Sequence, residues 1–141
     1  MHFSKSFDIS ISGLNAQRKR LDIIANNLAN IETTKTEQGG PYRRKMVVMS
    51  PQSSGMEFDD VLNSQVEGVK IDGIVEDQSS LERVYDPGHP DADEEGYLSK
   101  PNVDLFVETI NMLTAKRAFE ANVAAIKTMR EMTLKAFEIG R

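Results

Sequence analysis

All the prolines of this chain lie in its middle. Residues from about Ser4 to Ile31 and from about Val103 to Ile139 contain none, whereas Pro41, Pro51, Pro87, Pro90 and Pro101 fall between them, with seven of the nine glycines. Proline lacks the amide that a helix interior needs, and each interior glycine costs a helix about 1 kcal/mol relative to alanine. Two long helices are therefore expected at the ends, around a short insert. The expected fold is mainly α with a small β element, the terminal helices paired as a coiled coil. The expected boundaries are 1–35 for the first helix, 36–101 for a β-rich or irregular insert and 102–141 for the second helix.

In the first segment Phe7, Ile11, Leu14, Leu21, Ala25 and Leu28 follow a seven-residue seam interrupted by Arg18, and Ile24 and Ile31 widen it into a stripe. Asn26, Asn27 and Asn30 sit beside that stripe. They read either as a frayed polar helix end or as a zone where amides bond across helices or subunits. In the last segment Asp104 is positioned to cap a helix. Leu105, Met112, Phe119, Ile126 and Thr133 then recur every seven residues, with Val123 and Phe137 at a complementary position broken by Lys116 and Arg130. Phe106, Ile110 and Leu113 add a second apolar edge, alanines at 115, 118, 121, 124 and 125 permit close approach, and Gly140 suits the end of the helix. Such a helix runs roughly 55 Å at 1.5 Å per residue, longer than a compact globule of this size needs. Each helix would expose apolar surface after pairing with the other. The pattern points to order gained by lateral assembly, with an ordinary helical hairpin as the alternative.

In the insert, residues 42–50 and 66–75 read as strands, the second with a bulge or turn at Asp72–Gly73, and 81–85 as a third short strand. The acidic stretch Glu57, Asp59, Asp60 reads as solvated. Net charge is −5 for the 141 residues, and the insert, with fourteen acidic and six basic residues, is net −8. That balance argues against nucleic acid as a partner. The one basic cluster in the insert, Arg43-Arg44-Lys45, reads as a charge patch. No run of about 18 apolar residues exists, so no membrane span is expected. The N-terminus lacks the basic start and apolar block of a cleavable signal. With no cysteine, disulfides and thiol chemistry are excluded.

The densest polar segment spans residues 85–97. Asp91, Asp93 and Glu95 before Gly96 have the spacing that opens a calcium loop, but Asn102 stands where the closing glutamate belongs. His89, between two prolines, has Asp86 and Asp91 near it in sequence, yet no nucleophile elbow, phosphate-binding loop or zinc motif accompanies it. A proline-fixed acidic turn is the plainer reading. Neither cofactor, metal nor small-molecule substrate is expected.

Longer motifs carry a family resemblance. Leu14-Asn15-Ala16-Gln17-Arg18 with residues 22–30 (DIIANNLAN) resembles the N-terminal signature of flagellar rod and hook proteins. Pro101-Asn102-Val103-Asp104 and Ala118-Phe119-Glu120-Ala121-Asn122 resemble its C-terminal counterpart. Residues 39–44 (GGPYRR) and 86–93 (DPGHPDAD) are similar to the proximal-rod branch of that family. The resemblance implies a non-enzymatic subunit, exported through the flagellar apparatus without a cleaved signal peptide. It would polymerise in the periplasmic space with itself and other rod proteins, above the membrane ring and export apparatus at the base. Its interface residues would be those of the two helical seams and the asparagine cluster. Arg43, Arg44, Asp91, Asp93 and Glu95 would supply contacts from the insert. The competing reading of the residues alone is a soluble adaptor that pairs with one partner helix.

Overall fold

The two proline-free ends form the helices. In the computed structural model, which describes residues 2–52 and 68–139, α1 spans His2–Ala29 and α2 spans Leu105–Ile139. Between them come β1 (Lys45–Pro51), β2 (Val69–Glu76), β3 (Glu82–Tyr85) and β4 (Tyr97–Lys100). The fold is mainly helical, with two small antiparallel sheets, β1–β2 and β3–β4. Asp104 starts α2 by accepting the amides of Phe106 at 2.7 Å and Val107 at 3.0 Å, which satisfies two donors that the first turn leaves free. Gly140 and the acidic stretch Glu57, Asp59, Asp60 lie outside the described residues.

The helices pack antiparallel. A Cβ on Gly13 would lie 3.2 Å from the Asn122 side chain, and Asn27 bonds Glu108 at the other end of the pair. On α2 the inward positions are Glu108, Met112, Ala115, Phe119, Asn122, Ile126, Met129 and Thr133, spaced alternately by four and three. This is a heptad seam, and it passes through the expected Met112, Phe119, Ile126 row. Its second row differs from the one expected. Ala115 and Asn122 face inward; Val123 is half-buried at the flank, and Leu105 and Phe137 are 55% and 73% exposed. Lys116 and Arg130 therefore interrupt nothing, because they point away from the seam.

α1 shows a similar change of phase. Ala16, Ile23, Ile24 and Asn27 are buried, whereas Leu14, Leu21 and Leu28 are half-buried beside them and Phe7 and Ile11 are 39% and 36% exposed. Arg18 and Ala25 are exposed as well. The reason is steric. Ala16 and Ala115, at 1% and 0% exposure, are small positions that let the two backbones approach, and the larger Met112, Phe119 and Ile126 alternate with them along the seam.

The β1–β2 hairpin lies along α1. Asn27 bonds the backbone of Lys45 at one end, and Ser12 Oγ accepts the Val69 amide at 3.0 Å at the other. Val48 pairs with Gly73 and Met49 with Ile71, so Asp72 is an extra residue at the expected bulge. In the second hairpin β3 agrees with the expected third strand, while β4 is an added element whose four residues carry too little alternation to stand out. The turn between β3 and β4 depends on Gly96, at φ +80°, where a Cβ would come 2.9 Å from the Tyr85 ring and 3.1 Å from Pro87 Cβ. Gly96→Ala should lower unfolding free energy by about 1–3 kcal/mol, from the left-handed backbone and the clash together. Urea denaturation measures it, and an unchanged midpoint would contradict this account of the turn.

Candidate functional site

The two largest fully buried side chains are polar: Asn27 and Glu108, both at 0% exposure. They meet where α1, β1 and the first turns of α2 converge. Asn27 Nδ2 donates to Glu108 Oε2 and to the Lys45 carbonyl, both at 2.9 Å. Its Oδ1 accepts from the Lys45 amide at 2.9 Å and from the Tyr42 hydroxyl at 3.0 Å. That uses the full capacity of the side chain, two donors and two lone pairs.

Glu108 Oε1 takes the Arg44 guanidinium at 2.7 and 2.8 Å. Arg44 is tied in turn to Asn102, whose Oδ1 accepts its amide at 2.8 Å, and its guanidinium stands 3.7 Å from Asp77. Asn102 Nδ2 donates to the Asp77 carbonyl and to Ser79 Oγ. One connected network therefore joins α1, the strand entry at 42–45, the β2–β3 turn and α2. Asp77 titrates below the usual carboxylate range, chiefly because the Ser79 amide bonds it, with Arg44 assisting. The Tyr42 phenol is raised above 10.0, first by burial and then by the carboxylates of Glu76 and Glu108.

The asparagine cluster divides its work. Asn27 alone crosses between elements, while Asn26 and Asn30 donate to Asp22 O and Asn26 O on their own helix. Arg44 is part of the buried network, and Arg43 bonds the carbonyls of Asp77 and Ser79. In the acidic loop Asp93 accepts the amides of Tyr97 and Glu95 and pairs with Arg83 at 2.8 Å. The first of those bonds is the main reason its carboxyl titrates low. Asp91 accepts the Thr34 hydroxyl at 2.8 Å. Among the described residues no group of three or more His, Asp or Glu is arranged to hold a metal. Glu108, Tyr42 and Asn102 are central here and were not singled out from sequence as site residues. The available signal was an acidic residue exactly in phase with Ala115 and Asn122, one turn after the cap.

The second feature is uncovered apolar surface. Phe106 is 79% exposed, Ile110 65% and Leu113 50%; at the far end Leu134, Phe137 and Ile139 are 53%, 73% and 86% exposed. No helix among the described residues is long and apolar enough to cross a membrane. The fold thus closes one face of the helical pair with a polar clamp and leaves apolar side chains at both ends of α2 uncovered.

Comparison with known proteins gives the class. Residues 7–35 match the family described as flagella basal body rod protein, and residues 94–139 match the C-terminal family of flagellar basal body rod FlgEFG proteins. Over nearly its whole length the chain is similar to the flagellar basal-body rod protein FlgC of Bacillus subtilis, at 46% identity covering 96% of this chain and 97% of that one. It is 38% identical to the FlgC of Borreliella burgdorferi (99% and 98% covered) and 38% identical to that of Salmonella typhimurium (96% of each). The chain belongs to the FlgC family of flagellar basal-body rod proteins. It is a structural subunit of the rod, which decides between the rod and adaptor readings of its sequence.

Removing one partner from the buried ion pair should cost most. Glu108→Ala is expected to destabilise by about 3–5 kcal/mol, leaving Arg44 and Asn27 without their acceptor, while Glu108→Leu with Arg44→Met should recover much of the loss. Urea unfolding of the three proteins checks this; equal losses in the single and double variants would refute it. Tyr42 adds a pH dependence. Above 10.0 the unfolded chain ionises before the folded one, so the folded state holds more protons and stability falls as pH rises. Tyr42→Phe should flatten that alkaline limb in a pH series of melting temperatures.

Proposed function

We propose that the chain builds the proximal part of the rod by packing the open faces of its terminal helices against other copies and against other rod proteins. The insert lies outward. In this reading the subunit passes through the flagellar export apparatus and joins the rod in the periplasmic space, near the membrane ring at its base. The helices are less stable before assembly than within the rod. A chain that pairs its ends loosely can travel as an extended strand and gains its stability from neighbours.

The observation that carries this is surface area. The chain exposes 10595 Å², where a compact monomer of 15.8 kDa exposes about 7300 Å². The exposed apolar side chains of α2 cluster at its two ends, Leu105, Phe106, Val107, Ile110 and Leu113 at the start and Met132, Leu134, Phe137 and Ile139 at the finish. Clustered exposed apolar side chains mark association surfaces. A rod that transmits torque needs load shared over many lateral contacts, and a helix face of seven turns or more supplies them.

Ile110→Asp and Leu113→Asp change residues that touch little within the subunit, so folding stability should move by no more than about 0.5 kcal/mol. In cells the same changes should abolish swimming, because a charge would be placed in an apolar contact. Electron microscopy of isolated basal bodies should find rods missing. Normal rods and full motility in both variants would overturn the helix-face reading.

A further inference from the structure

Beside the buried clamp, a cleft of about 280 Å³ opens between α1, β1 and the start of α2. Three cations line it, Arg20, Arg44 and Lys45, over a floor that includes Ile24 and Met49. The one acidic residue on its wall, Glu108, is already engaged by Arg44 at 2.7 Å. Arg20 is half-buried and has neither ion pair nor hydrogen-bond partner among the described residues. Lys45 sits 5.6 Å over the Tyr42 ring and has no carboxylate partner among them. A partly desolvated guanidinium without a counter-charge is an incomplete site, and its planar donor fork fits a carboxylate.

The same chain carries the complement. The tip of the β3–β4 hairpin presents Glu94 and Glu95, both exposed, with side chains unpaired among the described residues. Asp93 holds that tip rigid through the amides of Glu95 and Tyr97 and the Arg83 pair, so little freedom is lost when it docks. We propose that the cationic cleft of one subunit receives the acidic hairpin tip of a second copy of this chain, Glu94 and Glu95 reaching Arg20 and Lys45. Cleft and tip are different surfaces, so the contact is head-to-tail. Such a contact generates a ring or a helical array, the geometry of a tube wall. The proposal rests on the rod-subunit reading and assigns one of its lateral contacts.

The absence of cysteine makes the test direct. Asn111→Cys places a thiol on the cleft wall and Glu94→Cys places one at the tip, while Arg20, Lys45 and Glu95 stay in place. Basal bodies isolated from cells carrying both changes in one chain should yield oxidised dimers and higher multiples, and either change alone should yield none. Separately, Arg20→Glu and the pair Glu94→Lys, Glu95→Lys should each shrink the swimming halo, and all three together should restore it. Failure of restoration, a chain present in basal bodies without cross-links, or a disulfide to any other rod protein would overturn the second-copy docking while leaving the rod assignment intact. A chain absent from basal bodies even without substitutions would overturn both.

Discussion

A single buried carboxylate organises this subunit. Glu108 is out of water altogether, and an isolated charge in that position would be very costly. It is tolerated because Arg44 and Asn27 arrive from two other parts of the chain. That requirement is geometric. Arg44 must leave β1's approach at the right height, Asn27 must face α2 two residues before α1 ends, and Asn102 must hold the Arg44 backbone. Satisfying one charge thus fixes the positions of three segments that are far apart in sequence. Replacing the network by apolar residues of similar volume can keep the stability, but it would discard that three-way registration.

The polar clamp matters more here because the rest of the interior is thin. Among the described residues the buried apolar ones are Ala16, Ile23, Ile24, Tyr42, Leu98 and Ala115, of which two are alanines. Small side chains bring the helices close and give little hydrophobic stabilisation in return. Larger residues sit outside, on faces where neighbours can reach them. Registration inside the chain is thus set largely by directional bonds, and large apolar side chains at both ends of α2 remain exposed.

Much of this was legible from residue patterns. Proline exclusion located both helices, Asp104 marked the start of the second, and Asp72–Gly73 marked the bulge. The phase of the helical pairing was harder to read. The sequence favours the row richest in leucine and phenylalanine, whereas the packing chose the row through Ala16, Ala115, Gly13 and Asn122, since backbone approach depends on what is absent from a side chain. The role of Glu108 was hidden for a related reason. A charged residue on an amphipathic helix normally reads as solvent-facing, and only its partners, up to 81 positions away in the chain, show that it belongs inside. Asp93 illustrates the same limit at short range: its spacing suits a cation, yet its oxygens are occupied by backbone amides and Arg83.

The clamp also sits at one end of the helical pair. Asn27 meets Glu108 near the insert, while the opposite end is held by contacts around Gly13 and Asn122 and carries bare apolar residues beyond them. The two helices are tied by directional bonds at the insert end and by side-chain packing alone toward the other. The insert is therefore registered to both helices at the clamp, while the exposed apolar tip of α2 lies at the end that lacks such bonds. Within the subunit, then, registration is strongest beside the insert and falls away toward the tip of α2.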